Sequence, residues 1–222
     1  MVESTQFLNR QSVVDVAQKL NHSGLNQGTS GNISLRSNKG MLITPSSVPF
    51  ESMTAKDLIE LSLDGSWLEG NRDNRPSSEW RLHADILAHR PELSAVLHCH
   101  SLHATALACH HRNIPSFHYM ISVAGGDDIR CAPYATFGTK ELSTLALEAL
   151  EDRKACLLAH HGLLTVGKNL DEALALAVEV ETLAQMYLVA CTLGEPPHLT
   201  EVQMAAVHAQ FAELKYGQYS ER

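Results

Sequence analysis

The sequence predicts an α/β fold with α+β character: a three-layer sandwich in which a mainly antiparallel central sheet is flanked by helices, in one domain over residues 1–222. Three observations carry this expectation. Hairpin signals recur along the chain among amphipathic helical stretches. No strand-helix unit repeats, which disfavours a doubly wound parallel sheet. The hydrophobic content of 44% runs without a break through 222 residues, enough for one substantial core.

The elements follow in order. Residues 6–23 place Phe7, Val13, Val14, Ala17 and Leu20 at helical spacing, with Ser4 or Thr5 as cap and Gly24 as stop. Ile33–Arg36 and Met41–Thr44 flank the turn Ser37-Asn38-Lys39-Gly40 as a β-hairpin, and Ile59–Leu63 with Trp67-Leu68 form another across Asp64-Gly65. Between them, Thr54 and Asp57 bracket one short helical turn. Pro76-Ser77-Ser78 opens a capped helix that Pro91 stops. A short strand ends in His98-Cys99-His100, and helices follow over 102–109 and 139–150. Cys156–Ala159 and Leu163–Val166 are apolar β-like runs on either side of His160-His161-Gly162. Asn169-Leu170-Asp171-Glu172 is a capping box for a helix running to Thr192, closed by Gly194 and Pro196-Pro197.

Composition excludes several classes of function. Seventeen Lys and Arg stand against twenty-five Asp and Glu, a formal charge of -8 with no basic cluster, so neither nucleic acid nor an anionic membrane is an expected partner. Residues 1–6 are polar and lead into no apolar run, and no stretch approaches the ~18 consecutive apolar residues of a spanning helix, so neither a signal peptide nor a membrane span is expected. Five scattered cysteines without CxxC spacing argue against a disulfide framework and for a reducing cytoplasm. Thirteen histidines, concentrated between His83 and His161, are the first sign of a metal.

His98 and His100 lie two apart on a strand, whose period of two points both imidazoles to one face. Two hydrogen-bonded histidines at a strand end would show the same spacing. The third histidine favours a metal: His161 sits at a hairpin tip beside Gly162, a turn glycine expected to fix which of His160 and His161 points inward. Three neutral imidazoles with an open position make a catalytic zinc pattern, whereas structural zinc is closed by four protein ligands. Glu79, in the first turn of its helix, is either a simple helix-start charge or a general base and fourth ligand. His83, His103, His110, His111 and His118 have no paired spacing and read as structural or surface residues. Gly28-Thr29-Ser30-Gly31-Asn32 and the pairs Ser46-Ser47 and Ser77-Ser78 are each ordinary turn chemistry. Together they outline a phosphate cradle, with Ser77-Ser78 at a helix N-terminus.

Several segments carry a specific resemblance: Leu25 to Asn32, Pro76 to Arg81, His98-Cys99-His100, Ile114-Pro115 with His118-Tyr119-Met120, Cys131 to Thr139, and His160-His161-Gly162. They resemble the class II aldolase/adducin family, from about residue 7 to 195. Adducin-type members lack the metal histidines that this chain keeps. The resemblance implies zinc on His98, His100 and His161, with Glu79 a ligand in the empty site and the acid/base once substrate displaces it. It implies a phosphate pocket from Thr29, Gly31, Asn32, Ser46, Ser47, Ser77 and Ser78. Tyr119 is implied to reach a neighbouring subunit's site in a homotetramer, where it would give a proton or hydrogen bond to the aldehyde oxygen; a packed interface aromatic is its alternative. Where relatives commonly carry Thr-Gly, this chain has Ser46-Ser47, and Tyr216 or Tyr219 stands for the family's tail tyrosine. The segments at His118 and Cys131 are most similar to members that cleave L-fuculose 1-phosphate to dihydroxyacetone phosphate and an aldehyde such as lactaldehyde. A sugar-phosphate 4-epimerase and a methylthioribulose-1-phosphate dehydratase are the rivals within the family, and a zinc hydrolase the rival outside it.

Overall fold

The computed structural model describes residues 2–215, with the side chains of 2–8 outside the description. The expected contributions of Phe7 to the first helix and of Tyr216 or Tyr219 to the tail therefore lie outside the described residues.

Eight strands form one sheet in the order β4-β3-β2-β1-β5-β8-β7-β6. They are β1 (Asn32–Arg36), β2 (Met41–Ile43), β3 (Ile59–Leu61), β4 (Trp67–Glu69), β5 (Ala95–Cys99), β6 (Arg130–Ala132), β7 (Ala155–Leu158) and β8 (Gly162–Gly167). Every pairing is antiparallel except that of β6 with β7. The helices are α1 (Val2–His22), α2 (Trp80–His89), α3 (Leu102–Cys109), α4 (Lys140–Ala149), α5 (Leu170–Cys191) and α6 (Glu201–Leu214), with a 3-10 helix over Tyr119–Ala124.

The three expected layers are present. Val13, Ala17 and Leu20 of α1, Leu107 of α3, and Ala177, Val180 and Leu183 of α5 pack on one face of the sheet with Ile33, Leu97 and Leu163. Leu82 and Ile86 of α2 and Leu142 and Ala146 of α4 cover the other face, with Ile43, Val96 and Leu164. Along β5 the alternation is clean: Ala95, Leu97 and Cys99 enter the first core and Val96 the second, so the period of two turns His98 toward the α2 side. α5 is the one described helix long and apolar enough to cross a membrane. Here it lies on the sheet, burying Ala173, Ala177, Val180, Leu183 and Ala184.

Local chemistry explains most boundaries. The Asn169 side chain accepts from the Glu172 amide at 2.8 Å, and Glu172 Oε2 accepts from the Lys168 amide at 2.9 Å, one residue earlier than an ideal capping box. Thr54 and Asp57 close a turn rather than a helical turn, Asp57 Oδ2 accepting from both the Thr54 amide and hydroxyl. Three elements have no counterpart in the expectation: β6, the 3-10 helix and α6. The signal for α6 is nonetheless in the chain, since Thr200 and Gln203 form a reciprocal capping box.

Candidate active site

The pairing of β1 with β5 sets Asn32 opposite His98, and that of β5 with β8 sets Cys99 opposite Leu163. The N-terminal end of β1, the C-terminal end of β5, the β7–β8 turn and the start of α2 thus meet at one end of the sheet. His98, His100 and His161 converge there, with their ligand nitrogens within 4.8 Å of one another. The Nε2 atoms of His98 and His100 are 3.1 Å apart. Ring centroids lie 4.6 to 5.2 Å apart at steep interplanar angles, edge-on rather than stacked.

Each group is oriented from behind. His98 Nδ1 donates to the Leu163 carbonyl at 2.9 Å, which leaves the Nε2 lone pair facing the site. His98 is fully buried, and that burial pushes its imidazole down to about 3, so it is neutral and able to ligate. Burial also lowers His100, with His161 alongside adding to the effect. Glu79 stands at the N-cap position of α2, and its carboxylate lies 3.5 Å from His98 Nε2 and 3.4 Å from His161 Nε2. Burial alone would raise this carboxyl; the adjacent His98 and His161 imidazoles and the Asn32 amide outweigh it and hold Glu79 below its ordinary value. Its Oε2 accepts from Asn32 Nδ2 at 2.9 Å, while Oε1 is buried without a hydrogen-bond partner. A buried carboxylate oxygen left without a hydrogen-bond partner, 3.4 Å from His161 Nε2 and beside the cluster of three imidazoles, completes a donor set suited to a divalent metal.

His83 proves structural, as its lack of paired spacing indicated, and its place matters. Fully buried, it bonds Ser34 Oγ at 2.8 Å and Asn32 Oδ1 at 2.5 Å. Because Asn32 donates its amide to Glu79, Oδ1 must accept, so His83 Nε2 carries the proton and Nδ1 accepts from Ser34. A relay from Ser34 through His83 and Asn32 therefore aims Glu79. Burial brings the His83 imidazole from 6.5 down to about 4. The unfolded chain then binds the extra proton between those values, so stability is full above 6.5 and declines as pH falls toward 4. For His83 alone the loss is roughly 3 kcal/mol, and His98 adds to it in the same direction. Urea midpoints of the chelator-treated protein at pH 7 and pH 4.5 check this; equal midpoints would mean that the fold accepts a charged His83.

The β7–β8 turn corrects the sequence reading. The left-handed residue is His160, with φ 54°, and not Gly162. Gly162 is required for space: a Cβ there would lie 2.5 Å from the Cys99 carbonyl oxygen, 3.0 Å from the His100 ring and 3.1 Å from the His98 ring. Gly162→Ala should push both imidazoles out of register and weaken metal binding about 10–100-fold, the range seen when a ligand's supporting shell is lost. Competition against a chromogenic chelator reads this; unchanged affinity would show that the hairpin yields freely.

All seven candidate phosphate residues, Thr29, Gly31, Asn32, Ser46, Ser47, Ser77 and Ser78, line a cleft of about 320 Å³ that also contains Glu79, His100 and His161. The two serine loops are held together by a bridge between Pro45 and Pro76, by the Ser46 amide on the Arg75 carbonyl (2.8 Å) and by the Ser77 amide on the Thr44 carbonyl (3.1 Å). Ser47 adopts φ 63°, so the backbone conformation that a glycine would favour is kept here by a serine. Gly31, at φ 72°, passes so close to β5 that a Cβ would meet the His98 carbonyl oxygen at 2.7 Å. Tyr119 does not line this cleft. It is 47% exposed and faces His118 and Phe211, with centroids at 4.8 and 6.3 Å. Tyr134, Phe137 and His160 do line it, and had no assigned role in the sequence reading. Their signal was present, since Tyr134 and Phe137 fall within the Cys131 to Thr139 segment.

A family model for the class II aldolase and adducin N-terminal domain matches residues 11–188. The chain is 48% identical over 202 residues to a 5-methylthioribulose-1-phosphate/5-deoxyribulose-1-phosphate aldolase of Rhodospirillum rubrum, covering 91% of this chain and 90% of that one. It is 46% identical over 200 residues to the L-fuculose phosphate aldolase of Escherichia coli K12, covering 90% and 92%. A solved L-fuculose 1-phosphate aldolase superposes with a TM-score of 0.88 at 38% identity, covering 92% of this chain and 96% of that one. With a match through most of its length, a shared eight-stranded fold and a histidine cluster suited to the metal on which class II aldolases depend, the chain belongs to the class II aldolase and adducin family.

Proposed function

We propose that the chain catalyses reversible, zinc-dependent aldol cleavage of a deoxyketose 1-phosphate to dihydroxyacetone phosphate and a small aldehyde. The observation that carries this reading is the unpartnered Glu79 oxygen beside the three-imidazole cluster in a serine-lined cleft. Zinc held by His98, His100 and His161 would supply a Lewis acid to the carbonyl and adjacent hydroxyl oxygens of the substrate. The chain's own residues do the rest. Backbone amides and hydroxyls of Thr29, Gly31, Asn32, Ser46, Ser47, Ser77 and Ser78 bind the phosphate without net positive charge, helped by the α2 N-terminus. Glu79, aimed by Asn32, moves the proton at the carbon that attacks the aldehyde in the synthetic direction. Tyr119, pointing away from its own chain's cleft, serves the site of a neighbouring subunit in a homotetramer and donates to the aldehyde oxygen as negative charge develops there.

Two sugars share this chemistry. L-Fuculose 1-phosphate yields lactaldehyde and 5-deoxyribulose 1-phosphate yields acetaldehyde, and relatives named for each are 46% and 48% identical to this chain. Both aldehydes end in a methyl group, and the exposed Tyr134 and Phe137 at the cleft mouth suit such an apolar terminus. The zinc-loaded protein incubated with each sugar phosphate should release dihydroxyacetone phosphate, detected by a coupled reductase. Their kcat/KM values should differ by no more than about 10–200-fold, because an apolar pocket discriminates weakly between such groups. No dihydroxyacetone phosphate from either sugar would refute the aldolase reading.

A further inference from the structure

The 3-10 helix that carries Tyr119 is packed by α6, and the contact is unusual in its polarity. Among the described residues of α6, only Met204 is buried. A helix with so little apolar anchorage needs other fastening. Met204, His208 and Phe211 recur at i, i+4 and i+7 on one face. From that face His208 bridges two residues of the Tyr119 segment: Nδ1 lies 2.6 Å from Ser122 Oγ, and Nε2 lies 2.6 Å from Asp127 Oδ1. The Asp127 carboxylate can only accept, so Nε2 carries the proton and Nδ1 accepts from the buried Ser122 hydroxyl. The entry to α6 is pinned to the same segment, with the Leu199 amide on the Ser116 carbonyl at 2.8 Å and the Ser116 hydroxyl on the Leu199 carbonyl at 3.0 Å. One helical turn beyond His208, the Phe211 ring meets the Tyr119 ring edge-on, and the His118 ring lies 4.8 Å from the same tyrosine.

We propose that α6 is the positioning element for Tyr119, fastened through the Ser122–His208–Asp127 bridge and setting Phe211 edge-on against the tyrosine. The three groups have the chemistry of a hydrolase triad but not its setting: the Ser122 hydroxyl is buried and already committed to His208, so it serves as an anchor. The proposal rests on the aldolase reading for the role of Tyr119, whereas the fastening itself does not.

The test compares His208→Ala, His208→Gln, Tyr119→Phe and the double variant His208→Ala/Tyr119→Phe in the full-length zinc-loaded protein. Hydrogen exchange followed by mass spectrometry should show amides of 119–124 and 201–214 exchanging at least about tenfold faster in His208→Ala, with β5 and β8 unchanged. His208→Gln should restore much of the protection, since an amide can accept from Ser122 and donate to Asp127 at once. In turnover, His208→Ala should lower kcat about tenfold while KM for the sugar phosphate and zinc content stay within twofold of wild type. In the Tyr119→Phe background the same substitution should cost almost nothing further, because coupled residues are not additive. Unchanged exchange in both segments would overturn the fastening. A kcat loss that persists undiminished without the Tyr119 hydroxyl, or one accompanied by loss of zinc, would overturn the positioning role. A wild-type protein without aldolase activity would sink the proposed function, and the exchange measurement would still decide the fastening.

Discussion

Glu79→Gln should lower aldol cleavage by about 10²–10⁴-fold, the usual worth of a positioned proton-transfer group. The geometry makes this substitution informative. Oε2 already accepts from Asn32 Nδ2, so a glutamine must present its oxygen to Asn32 and turn its NH2, at the Oε1 position, toward His161. The side chain keeps its place while losing both its charge and its basicity. Three imidazoles remain to hold the metal, so zinc content should fall far less than activity. Exchange of the reactive hydrogen of dihydroxyacetone phosphate with D2O isolates the proton step, because it needs no aldehyde. Wild-type exchange in this variant would remove Glu79 from the role of base.

Stripping the metal should produce an equally large effect through a different route. Dialysis against a strong chelator is expected to bring cleavage to background, with recovery on adding about one equivalent of zinc per chain. It should also destabilise the fold. A ligand that binds only the folded state at about a thousand times its Kd contributes roughly 4 kcal/mol. In a chain of this size that corresponds to a fall in melting temperature on the order of 10 °C. The stabilisation is specific to this site because His98 is completely buried and its Nε2 faces the ligand cluster, 3.1 Å from His100 Nε2 and 3.5 Å from Glu79 Oε2. Full activity after exhaustive chelation, with no metal by elemental analysis, would end the metal hypothesis.

The His98 and His100 pair was legible in the sequence because the two are close in the chain, while the other site residues, spread from Thr29 to His161, were expected from turn chemistry and the family resemblance. The period of a strand placed His98 and His100 on one side, and the apolar runs that begin at Ile33, Met41, Cys156 and Leu163 marked four of the strands. What the sequence withheld depends on pairing between distant segments. The relay from His83 through Asn32 to Glu79 joins residues 51 and 47 positions apart, and it exists only because β1 lies beside β5 and α2 lies over both. β6 is three residues long and gains its strand character from its parallel neighbour β7. α6 carries a capping box but little apolar stripe, so helical periodicity does not mark it in the sequence. At the β7–β8 turn Gly162 serves clearance rather than dihedral freedom, and a sequence does not distinguish these two uses of a missing Cβ.

The cleft has one wall of deeply buried groups, Asn32, Ser77 and Glu79, and another of solvent-facing ones, Tyr134, Phe137 and His160. Stability and catalysis are therefore concentrated on the inner wall, where a single change disturbs the relay, the metal and the core together. The outer wall is largely released from that duty, since substitutions at exposed positions usually shift stability by no more than about 0.5 kcal/mol. A lineage, or a designer, can thus exchange the aldehyde that enters at the mouth by redrawing a few rim side chains while the machinery beneath is inherited intact.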